Sequence, residues 1–149
     1  MEVFVRGSRS SAQDWVLAQQ IPANQLPPLD EEQKAAALRE KVSEENYARS
    51  AYAGHLSQQK LLHRTLQFGR WLNARVEERN AECQVESVTL DTWESKYQVS
   101  VLGGEDPIDF EIDEELVERF LTTGSAELER AIFRLLEVYL PQKRVARAS

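Results

Sequence analysis

At 149 residues the chain is long enough for one domain with a proper core and short for two. Its 42% apolar and 29% charged content, with six Gly and five Pro, excludes the disordered and fibrous classes. A formal net charge of −7 argues against a surface given over to phosphate, and a single cysteine, Cys83, excludes an internal disulfide framework or a multi-cysteine zinc site.

Residues 1–29 read as an N-terminal arm, with Val3-Phe4-Val5 as a short strand and a Ser-x-x-Asp pattern at Ser11 and Asp14 that can open one or two helical turns. No apolar leader segment follows the first charges, and no apolar run approaches the ~20 residues of a bilayer-spanning helix, so the expected location is cytoplasmic, with no membrane partner. Trp15, Val16, Leu17 and Ile21 must pack on this domain or on another chain. Pro27 and Pro28 then hold the connector extended.

A single α+β domain is expected over residues 30–141. Asp30 caps a helix near 31–41, and Ser43 caps a second, long helix over about 44–80. Beyond Asn80 the pattern alternates. Val85–Leu90, Tyr97–Val101 and Ile108–Ile112 read as three strands, joined by short connections at 91–95 and 103–106 into an antiparallel meander. Asp113 is placed to cap a helix that Gly124 ends, and Ser125 caps another that Pro141 stops. Residues 142–149 form a basic tail that should fray. The predicted fold is a long helix packed on a three-stranded antiparallel β-meander, followed by two C-terminal helices.

Charge is divided along the chain. Asn46–Val76 contains no Asp or Glu but has Arg49, Lys60, Arg64, Arg70 and Arg75, a segment of +5 that leaves −12 for the rest. Glu82–Glu118 alone has twelve acids against one lysine. At about 100° per residue, Tyr47, Ala51, Leu62, Leu66, Gly69, Leu72 and Val76 share one wide arc, the expected core face. Trp71 falls on the opposite side among Arg49, Lys60, Arg64 and Arg75. Either Trp71 is core and the arginines reach back to the protein's own acids, or the stripe is a docking surface, since Trp and Arg are enriched at binding hot spots. Gly54 is a candidate break, and Gly54 with Gly69 a candidate site of close helix approach.

His55, a buried or boundary residue by its position, and His63 lie about 80° apart around the helix, poor geometry for one metal, and no metal or cofactor is expected. Asp109, Glu111 and Asp113 share one strand face and do not follow the calcium-loop pattern, so they read as a solvated outer face. There is no Gly-rich phosphate loop, nucleophile elbow or Cys-x-x-Cys pair, which leaves an enzyme the weakest class. The helix–three-strand–helix order resembles that of the double-stranded-RNA-binding domain in topology. The closing helices open with Asp113, Glu114 and Glu115 where that family presents basic side chains, so RNA binding does not carry over. The small, acidic profile is also similar to that of dimeric secretion chaperones, with no shared motif. The expected function is protein–protein interaction or assembly with a protein partner or a second copy of the chain, through Trp71, Arg49, Lys60, Arg64, Arg75 and Trp15. The alternative is nucleic-acid or phosphate binding through the basic face of the long helix.

Overall fold

The structure, a computed structural model, describes residues 1–103 and 106–140. The basic tail at 142–149, the stop at Pro141, and Gly104 and Glu105 of the third strand connection lie outside the described residues. The chain divides into two compact units: Met1–Gly7 together with the chain from Leu61 onward, and Ser8–Lys60.

The first unit holds a four-stranded sheet in the order β1-β2-β3-β4, formed by β1 (Glu2–Arg6), β2 (Gln84–Asp91), β3 (Lys96–Leu102) and β4 (Ile108–Asp113). Strands β2 to β4 form the expected meander, with Val88 opposite Val99 and Val99 opposite Phe110. The expectation of three strands is corrected, because β1 adds a fourth, parallel to β2, with Glu2 opposite Ser87 and Arg6 opposite Asp91. Local alternation can mark Val3-Phe4-Val5 as extended but cannot name a partner strand so distant in sequence. Gly7 ends β1 at a φ of 84°, where a Cβ would also run into Thr92 Oγ1.

Inward-facing strand residues Val85, Val88, Leu90, Tyr97, Val99, Val101, Phe110 and Ile112 are buried against helices. These are the C-terminal half of α3 (Glu44–Arg79), with α4 (Glu114–Thr123) and α5 (Ala126–Tyr139). Along the C-terminal half of α3 the buried side chains are Leu61, Thr65, Phe68, Leu72 and Val76, the i, i+4, i+7, i+11, i+15 spacing of one helix face. That face shares Leu72 and Val76 with the expected arc but is centred about 55° to one side of it: Leu62 is exposed, and Phe68 meets Tyr97 at a ring separation of 5.1 Å. Gly69 admits a side chain rather than a helix, because Met1 Sδ and Cε sit within 3.0 Å of where its Cβ would be. Asp113 makes no side-chain cap; the first amide of α4, from Glu114, donates to Ser95 O instead. Gly124, with φ 64°, closes α4 as expected.

The second unit contains α1 (Ala12–Gln20), a short 3₁₀ turn at Ala23–Gln25, α2 (Glu31–Glu40) and the N-terminal half of α3. Complete capping boxes start α1 and α2, at Ser11/Asp14 and Asp30/Gln33. Ser43 Oγ accepts from Asn46 N at the start of α3, which then runs unbroken through Gly54. The buried apolar residues here are small: Ala18, Ala37, Ala48 and Ala53. His55 is exposed, as is His63.

Candidate functional site

The residues expected to bind a partner fall in both units. In the first, Trp71 is half-buried in a ring cluster, 4.7 Å from Phe120, 6.0 Å from Phe133 and 6.2 Å from Phe68. The displacement of the buried face brings Trp71 from the far side of the helix to the shoulder of the core, where its indole fills space between α3, α4 and α5.

Arg64 is turned into the same unit. Its Nη2 lies 2.7 Å from Glu114 Oε2, Nη1 lies 3.3 Å from Glu118 Oε1, and Nε donates to the Tyr97 hydroxyl at 3.1 Å. Glu114 and Tyr97 are buried and Glu118 is exposed, so the planar guanidinium serves two acceptors shielded from water and a third at the surface. Burial opposes the charge on Arg64, but Tyr97, Glu118 and Glu114 outweigh it and hold the guanidinium more firmly protonated than usual. Burial pushes the Tyr97 phenol up, against the pull of Arg64. Arg75 pairs with Glu78 at 2.9 Å, and its Nε is the one buried side-chain donor without a hydrogen-bond partner among the described residues.

The second unit brings Arg49, Lys60 and Trp15 together on α1. Asp14 is only 1% exposed, and its carboxylate accepts from Lys60 Nζ at 2.6 Å, from Ser11 Oγ at 2.8 Å and from Ser11 N at 3.2 Å. The Lys60 hydrogen bond, with those from Ser11, holds the Asp14 carboxyl below the usual carboxylate range. At the other end of the helix, Arg49 Nη1 donates to Ala18 O and Ile21 O, both at 2.7 Å. A cation there satisfies the orphan carbonyls and suits the negative end of the helix dipole.

Hooked at both ends by polar groups, α1 is turned inside out. It buries Asp14 and Ala18 and presents Trp15, Val16 and Leu17, which are 42%, 55% and 39% exposed. The outward surface of the helix also carries Gln13, Gln19 and Gln20 and no charge. Trp15, Val16 and Leu17, expected from the sequence to pack on this domain or on another chain, are exposed here. Val16 and Leu17 became surface residues because Lys60 and Arg49 fix which face looks in, a constraint visible only once the distant cations are placed.

No known protein family matches the chain, and neither a curated protein nor a solved structure is significantly similar to it. Among the described residues no helix is long and apolar enough to cross a membrane, and no three His, Cys, Asp or Glu side chains are grouped to hold one metal ion.

Proposed function

We propose that the protein is a non-enzymatic interaction domain that docks another protein through α1. The observation that carries this reading is the inverted helix: three consecutive large apolar side chains are held in solvent while an aspartate is buried behind them. An exposed apolar strip with an amide rim has the make-up of an interface core and its surround. Because α1 shows no exposed charge, the fitting partner offers an apolar, uncharged groove to the Trp15 indole.

The alternative, phosphate binding by the basic stripe, draws on cations that are already engaged. Arg49, Lys60, Arg64 and Arg75 each pair with an acid of their own unit. Salt separates the two readings, since phosphate binding weakens steeply with ionic strength and apolar docking does not.

The test is site-specific photo-crosslinking from position 16 in the intact chain, alongside Trp15→Asp and a control crosslinker at Glu127 on α5. A single protein crosslinked from position 16 but not 127, retained at raised salt and lost in Trp15→Asp, is the expected result. Equal crosslinking from both positions, or a nucleic-acid adduct released by salt, would overturn the reading.

A further inference from the structure

The helical unit contains a hollow that matches the strip presented by α1. Pro27 and Pro28 keep the connector ahead of α2 stiff and extended. Opposite them α3 offers Ala48 and Ala51, whose side chains are too short to close the gap. The result is a hollow of about 250 Å³, walled by the two proline rings and Leu29 and flanked by Tyr52 and His55. That volume falls below the ~300–1,000 Å³ typical of sites for whole small molecules and suits one large side chain. No Asp, Glu, Lys or Arg lines it. The neighbouring hollows lie against Lys34, Glu44 and Glu45, and against Glu40, so an apolar anchor seated in either would strip water from a charge.

The docking role proposed for α1 calls for an apolar, uncharged groove of this kind. Helix α1 and the hollow belong to one unit but to different faces of α3. Arg49 and Lys60, which hold α1 through Ala18, Ile21 and Asp14, stand almost in line along α3. The hollow's residues Ala48, Ala51, Tyr52 and His55 are centred about 120° around the helix from that line. Trp15 stands in solvent, 42% exposed, instead of in the hollow of its own chain.

We propose that the partner of α1 is a second copy of this chain, with the Trp15 indole of one copy seated in the Pro27–Pro28 hollow of the next. This inference rests on the docking role of α1 and names what it docks. The flat indole packs on the proline rings and Leu29, and once out of water its N–H finds an acceptor in the Tyr52 hydroxyl or the His55 ring. Because knob and hollow occupy different faces, the contact is head-to-tail. Each copy gives one Trp15 and receives another, so the assembly passes beyond two chains, as a ring or an open row.

The experiment is analytical ultracentrifugation of the full chain over a concentration series, for wild type, Trp15→Gln, Ala51→Glu and an equimolar mixture of the two variants. Wild type should grow past the mass of two chains. Trp15→Gln lacks the knob and Ala51→Glu sets a carboxylate in the hollow, so each alone should stay monomeric where wild type associates, its dissociation constant raised about tenfold or more. The mixture should stop at two chains, because each pair has one intact knob and one intact hollow between them. Circular dichroism checks folding; should a variant unfold, Trp15→Ala or Ala51→Gln replaces it. A wild type no heavier than a dimer, variants that associate as wild type does, or a mixture that stays monomeric or grows past two chains would overturn the proposal. Photo-crosslinking from position 16 separates the second copy from the docking role itself. An adduct between two copies, mapped to the segment around His55, is expected; an adduct with a different protein overturns the second copy alone, and no protein adduct overturns the docking role with it.

Discussion

The two units are held together by different physics. The sheet unit buries Tyr97, Phe68, Leu72, Leu90, Ile112, Ile132 and Leu136 almost completely, a core of large side chains in which burial itself is the main stabilising term. The helical unit buries alanines and fastens α1 by Lys60 to Asp14 and by Arg49 to two carbonyls, leaving its large apolar side chains outside. Polar hooks are directional where apolar burial is not. A helix fastened by them can therefore keep an apolar surface exposed without rolling over to hide it.

The strongest way to break that contrast is a cavity. Phe68→Ala removes a fully buried ring that meets both Tyr97 and Trp71, and should destabilise the sheet unit by about 3–5 kcal/mol in denaturant titrations. No alanine-lined site of the helical unit offers a comparable loss.

A second prediction sharpens the contrast through pH. The Asp14 carboxyl is depressed in the folded chain, so the stability it contributes is fully present above the ordinary carboxylate value of 3.8 and is lost as pH falls through its lower folded value. Amide-exchange protection factors across α1, taken relative to the intrinsic rate at each pH, should thus be unchanged from neutral to mildly acidic pH, fall only in stronger acid, and be low at all pH values in Asp14→Asn. An α1 that stays protected in Asp14→Asn would show that the hook does not orient it.

The smallest effect tests the remaining weak point of α3. A Cβ at Gly54 would meet nothing within 4 Å, so Gly54→Ala should raise stability by up to about 1 kcal/mol through helix propensity alone, read as a higher melting temperature.

Much of the fold was legible because local chemistry decides it. Ser11, Asp30, Ser43 and Ser125 are true caps, Gly124 closes α4, and the alternation of β2 to β4 gives a meander whose neighbours in space are neighbours in sequence. Asp113, which makes no cap, and Gly54, which does not break α3, are local exceptions, and the larger differences are long-range. The partner of β1 is β2, and the fate of Trp71 depended on Phe120 and Phe133 arriving from two other helices. The expected site divided for the same reason. Charges on α3 were easy to count, but whether a cation meets solvent or a buried acid such as Glu114 is settled by elements far along the chain.

The parallel pairing of Glu2 with Ser87 has a consequence for synthesis. The two residues are separated by 85 positions, and at ribosomal rates of about 5–20 residues per second β1 waits roughly 4–17 seconds for the strand that will shelter it. Throughout that interval Glu2-Val3-Phe4-Val5-Arg6 travels without the strand that completes its place in the sheet.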